Sequence, residues 1–151
     1  MAVSTIKVAD FVEGLAEGQH DFANDTLQIA LSNTAPNAEG SDPTSTGNGI
    51  LANVTQISYT NYSDDMTVDR VLENVTSNEA GDTFTLDADD IVITASGGDI
   101  ATFRYIYLFN QSSTTPDDQL ILVIDADEAI TITSGNSRTI QWSGSGILTI
   151  A

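Results

Sequence analysis

Cysteine is absent, so neither disulfides nor thiolate metal sites hold this chain together, and its stability has to come from a packed core or from assembly with other chains. Basic residues are nearly as scarce. Lys7, Arg70, Arg104 and Arg138 stand against 22 acidic residues, a formal net charge of -18 over 151 residues. Such a surface repels phosphate backbones and anionic headgroups, so direct nucleic-acid or membrane-surface binding is not expected, and proteins, cations or water remain as partners. Long hydrophobic runs are missing too. No stretch approaches the ~18 apolar residues of a membrane span, and Met-Ala-Val-Ser-Thr-Ile-Lys has no signal-peptide h-region, so synthesis in a cytoplasm is the expectation.

What is present argues for a folded domain. With 40% hydrophobic residues the chain is too apolar to be disordered merely because it is acidic. A chain of this length buries roughly 68–70% of its unfolded surface, and one domain over 1–151 is the natural count.

Val8, Phe11, Val12 and Leu15 have the spacing of a short helix with one buried face, stopped near Gly18. Gly14 weakens it by ~1 kcal/mol relative to alanine, so the helix needs something larger to pack on. Thr26 to Ser32 alternates as a half-buried strand, with Leu27, Ile29 and Leu31 on the apolar face. Residues 33–49 are turn formers without apolar periodicity, a long loop expected, like the N-terminal segment 1–7, to be extended or ordered by a partner. Ile50 to Tyr62 fits helix and strand equally. Beyond it, short β-branched and aromatic runs recur at Val68–Thr76, Thr83–Leu86, Ile91–Ala95, Ala101–Phe109, Leu120–Ile124, Ala129–Thr133, Thr139–Trp142 and Ile147–Ile150, separated by turn formers. That rhythm predicts an all-β fold, a sandwich or jelly-roll-like antiparallel domain with one short N-terminal helix.

Ala101 to Phe109 is apolar on both faces, which predicts a central strand covered on each side, where Arg104 needs a carboxylate or several carbonyls as a structural partner. No catalytic constellation emerges. His20 reads as a surface or packing residue in a loop, and no serine has a nucleophile-elbow context. Gly47-Asn48-Gly49-Ile50-Leu51-Ala52 matches the letters of a dinucleotide fingerprint but follows a polar loop rather than a strand. The Asn-x-Ser/Thr triplets at Asn24, Asn53, Asn61, Asn74 and Asn110 matter only in a eukaryotic secretory route. No cofactor is expected. Asp87, Asp89 and Asp90, and Asp125, Asp127 and Glu128, are the closely spaced oxygens that could suit Ca²⁺, with Asp87, Asp89, Asp125 and Asp127 the candidate ligands. Both groups lack the Asp/Asn and Gly that an EF-hand needs at its fifth and sixth positions and read first as solvated turn carboxylates, as do Asp64, Asp65, Asp117 and Asp118.

The order of segments carries a resemblance. Val8-Ala-Asp-Phe-Val-Glu-Gly-Leu-Ala-Glu-Gly followed by Asp25-Thr-Leu-Gln-Ile-Ala-Leu-Ser-Asn-Thr-Ala-Pro36 resembles the opening of small virion proteins of tailed bacteriophages. Thr94 to Asn110, Asp118-Gln-Leu-Ile-Leu and Gly146-Ile-Leu-Thr-Ile-Ala are similar to the remainder of that pattern. The resemblance implies a capsid decoration (cement) protein, bound to the major capsid protein on the outside of the virion, most often as a homotrimer at local threefold positions. Its capsid or neighbour contacts would lie in Ala2, Val3, Ser4, Thr5, Ile6 and Lys7 and in the long loop with Pro36 and Pro43. The alternatives are a tail-tube, tail-terminator or head–tail connector subunit, and a carbohydrate-binding or adhesion module stacking Tyr59, Tyr62 or Trp142 on sugar.

Overall fold

The computed structural model describes residues 4–62 and 70–151. In chain order the elements are β1 (Ser4–Lys7), α1 (Ala9–Ala16), β2 (Leu27–Ser32), β3 (Thr76–Ala80), β4 (Thr83–Asp87), β5 (Ile91–Thr94), β6 (Ile100–Thr114), β7 (Asp117–Ile132), β8 (Ser137–Ile140) and β9 (Leu148–Ile150), with 3₁₀ turns at Pro36–Ala38 and Leu51–Asn53. All pairings are antiparallel. A four-stranded sheet ordered β1-β7-β6-β2 is accompanied by the smaller sheets β3-β4-β9 and β5-β8. The fold is an all-β antiparallel sandwich with one short helix, as the spacing of apolar runs predicts.

β6 and β7 form the spine. Antiparallel partners share a face, so the register places Thr5, Ile124, Ile106 and Leu31 in one row across the sheet and Ile6, Val123, Tyr107 and Ala30 in the row on the opposite face. Ile106, Val123, Tyr107, Leu31 and Ala30 are all buried. The sheet is therefore apolar on both sides and needs two covers. Ile106 and Ile124 face β8 and the C-terminal segment across a pocket. On the other side, the Tyr107 hydroxyl feels the carboxylates of Glu39 and Asp42 in the long loop, and α1 packs on β7.

α1 ends where the sequence indicates. Gly18 adopts a positive φ of 75°; its N–H donates to Leu15 O at 3.3 Å, and the Gln19 N–H donates to Gly14 O at 2.8 Å. This is the Schellman pattern that satisfies the last carbonyls. The buried face differs from the expected one: Phe11 and Gly14 are buried, while Val12 is 50% exposed. The helix is rotated so that Gly14 meets the Gln119 side chain of β7, into which a Cβ would run. A larger residue there would have to push the buried Gln119 amide aside.

The long loop is ordered by its own chain. Thr44 O accepts the Ala9 N–H at 3.0 Å. In return the Asp10 carboxylate accepts the Gly47 N–H at 2.8 Å and the Gly49 N–H at 2.9 Å, while Glu39 accepts from Thr55 N and Oγ1. Pro36 and Pro43 are buried. The expectation of an extended or partner-ordered loop gives way because the loop supplies what a helix N-terminus lacks, a carbonyl and a place for a first-turn carboxylate.

Other differences have similar physical reasons. β2 is buried along its whole length, not half-buried, because loop and sandwich core cover opposite faces. The strand expected at Val68–Thr76 is partly outside the described residues. From Arg70 onward it contributes only an isolated bridge, Val71 to Gln28, and the polar, exposed β3 begins at Thr76. Leu120–Ile124 and Ala129–Thr133 are parts of one strand, β7, carried across its polar middle by pairing with β6. The segment 50–62, ambiguous in sequence, makes a 3₁₀ turn and isolated bridges to Ser32 and Ala95.

Gly14→Ala therefore runs against helix propensity. In place of the gain of ~1 kcal/mol expected at an exposed helix position, it should destabilise by about 1–3 kcal/mol through overpacking. Denaturant titration of Gly14→Ala, Gln119→Ala and the double variant checks this: the double variant should recover much of the loss, and strict additivity would refute the contact as its cause.

Candidate docking surface

Two edges bound the four-stranded sheet. β2 is covered: the Ile29 N–H donates to Arg70 O at 2.9 Å, the Leu72 N–H to Leu27 O at 2.9 Å, and the Ile57 N–H to Leu31 O at 2.9 Å. The Arg70 guanidinium closes this cover, donating to Ile29 O at 3.0 Å and lying 4.3 Å from the centre of the Tyr59 ring. β1 has no such cover among the described residues. The Val8 N–H donates to Ile121 O, and antiparallel backbone bonds alternate with period two. Ile6 and Ser4 therefore also turn toward β7, and the N–H and C=O groups of Thr5 and Lys7 turn outward. Ser4, Thr5 and Lys7 are exposed, so the edge is open to another strand.

Arg104 lies on β6 beside this region. Its Nε donates to Asp125 Oδ1 at 2.7 Å and its Nη2 to Asp125 Oδ2 at 2.9 Å, the bidentate geometry that a planar guanidinium favours. The expected carboxylate partner is thus Asp125, although Arg104 remains 35% exposed. Asp127 sits in the left-handed region at φ 65° and donates its N–H to Asp125 Oδ1 at 2.8 Å. Asp125 and Asp127 belong to an irregular stretch of β7, not to a turn. The hydrogen bonds from Arg104 hold the Asp125 carboxyl below its ordinary value, with burial opposing.

Next to the β1 edge is a pocket of about 570 Å³. Its lining includes the apolar Ile106, Ile124, Ile130, Trp142 and Ile147 together with the exposed Thr5 and Arg138. Side chains two apart on a strand share a face, which puts Arg138 on the same side of β8 as the buried Ile140. Among the described residues Arg138 has no ion pair.

The remaining candidates have structural duties. Asp87 accepts the Ala88 N–H, Asp89 the Asn74 side-chain amide, and Asp90 the Trp142 N–H. Among the described residues no three acidic or histidine side chains gather as a metal cluster. Trp142 is buried and donates its indole N–H to Asp89 O at 2.8 Å, and the Tyr59 hydroxyl accepts from the Leu31 N–H. Asp117 and Asp118 open β7 at the hairpin turn. The glycines of the fingerprint-like string do bind an anion, but it is the chain's own Asp10. Ala2, Val3, Asp64 and Asp65 lie outside the described residues. The pocket with Arg138 had no sequence signature beyond the period-two spacing of Arg138, Ile140 and Trp142.

His20 is a packing residue. Its ring stacks on Phe22 with centroids 5.6 Å apart, tilts against Phe11, and has Nδ1 3.2 Å from the Asn110 side-chain amide. With that amide donating, Nδ1 accepts and Nε2 carries the proton, with no hydrogen-bond partner among the described residues. Burial lowers its pKa, while Asp25 opposes.

Comparison with family models, with curated proteins and with solved structures finds no match for this chain.

Two pH dependences follow from these shifts. Folding favours ionised Asp125, so its contribution is present above the ordinary value near 3.8 and is lost as pH falls through the lower folded value. Asp125→Asn should lower Tm by about 1–3 °C near pH 7, and by progressively less below pH 4. Folding favours neutral His20, so its contribution is intact above 6.5 and falls as pH drops through the depressed folded value. His20→Gln should remove that part of the acid destabilisation; chemical-denaturation curves from pH 7.5 to 4 that keep the wild-type slope would contradict it.

Proposed function

We propose that this protein is a structural virion component that decorates and stabilises the outside of a tailed-phage capsid by bridging neighbouring major capsid subunits. The reading draws on the resemblance of the N-terminal, central and C-terminal segments to small phage virion proteins. One observation carries it furthest, the open edge of β1, with Thr5 and Lys7 turning backbone donors and acceptors away from the domain. A neighbouring subunit adding a strand there gains main-chain hydrogen bonds. The four-residue length of β1 and its exposed Lys7 keep that edge from pairing indiscriminately. Single contacts of this size are weak; repeated docking by a homotrimer on a lattice makes them strong through effective concentration. The net charge of -18 keeps decorated particles apart.

The location is tested by gold-labelled antibody on particles purified from the producing lysate. Label over heads supports the reading, and label confined to tails or necks overturns it in favour of a tube or connector subunit. The mode of docking is tested by Thr5→Pro, which removes an outward N–H and spares the ladder to β7. It should reduce binding to purified capsids at least tenfold with Tm nearly unchanged; undiminished binding would exclude the β1 edge.

A further inference from the structure

We propose that the pocket between β7 and β8 is a binding site for an alkyl carboxylate, its chain lying on the apolar lining and its head paired with Arg138. This goes beyond the virion reading and does not depend on it. The first observation is the misfit of Arg138 with its own strand position. Period-two alternation sets it on the side of β8 that buries Ile140, where an apolar residue is the norm, yet Arg138 is exposed and lines the pocket.

The second is charge. In a chain with 22 acidic and four basic residues, a neighbouring carboxylate is the easiest partner to supply. Arg104 takes one, Asp125, in a bidentate pair. Arg138 takes none among the described residues, which leaves it available to a carboxylate that a ligand brings. The third is the pocket. At about 570 Å³ it is of the size that holds small ligands, and much of its lining is hydrocarbon: Ile106, Ile124, Ile130 and Ile147, with Trp142 alongside. An apolar chain with a terminal carboxylate matches both features. A cationic or zwitterionic amphiphile matches only the lining.

Trp142 is the only tryptophan, so its emission reports occupancy directly. The probe is dodecanoate, titrated below its micelle concentration at physiological salt, with dodecanol and dodecyltrimethylammonium as uncharged and cationic counterparts. Dodecanoate should give a saturable change with one site per chain, about tenfold tighter than dodecanol. Affinity should rise roughly three- to fourfold per methylene from octanoate upward until the pocket is filled. Arg138→Gln, an exposed change, should bring dodecanoate down to the level of dodecanol, and Ala126→Phe, which fills the pocket from β7, should abolish the response to both. The proposal is overturned by an unsaturable or absent change in the wild-type protein, by equal affinity for dodecanoate and the cationic probe, or by an Arg138→Gln variant that binds dodecanoate as the wild type does.

Discussion

A hairpin that is apolar on both faces governs this molecule. β6 and β7 run 15 and 16 residues, and their central rows are buried from either side. A sheet of that kind cannot leave one face to water, so the chain has to supply two covers. β8 and the C-terminal segment face one side across the pocket. The helix and the long polar loop cover the other, and the loop can do so because Asp10, Thr44 and the glycine N–H groups satisfy one another's polar atoms. A stretch of turn formers thereby becomes part of the protein's wall.

The sparse positive charge is distributed unevenly. Arg70 closes the β2 edge over Tyr59, and Arg104 ties β6 to Asp125. Lys7 and Arg138 have no ion pair among the described residues, and both belong to the region around the open β1 edge and its pocket. On a body of net charge -18, Lys7 on the edge with its outward backbone donors and Arg138 in the pocket lining make the area where an approaching carboxylate meets least repulsion. The edge and the pocket adjoin through Thr5.

Much of the fold was legible wherever side-chain period and burial agree. The helix with its stop at Gly18, the apolar centre of β6, and the strands at Thr83, Ile91 and Ile147 follow from local pattern. The need of Arg104 for a carboxylate or several carbonyls was legible too, because a guanidinium in an apolar run has few other solutions. Its identity was not: Asp125 is brought opposite by the register of β6 and β7, and it stands in a cluster that reads as a turn because Asp127 and Glu128 interrupt the apolar alternation. Polar β3 escaped for the converse reason. Its five residues are all exposed, and its pairing with β4 leaves no hydrophobic trace in the sequence.

The amino-acid sequence by itself determined the class of fold, the absence of disulfides and the acidic charge, because these depend on composition and on periods of two and 3.6 residues. Tertiary structure decided which face of α1 is buried, since Gly14 rather than Val12 lets the helix approach Gln119. It also decided which sheet edge is open and which cation has no ion pair among the described residues. Those properties depend on what lies across a strand or beyond an edge, and a neighbour brought there from a hundred residues away leaves no local mark.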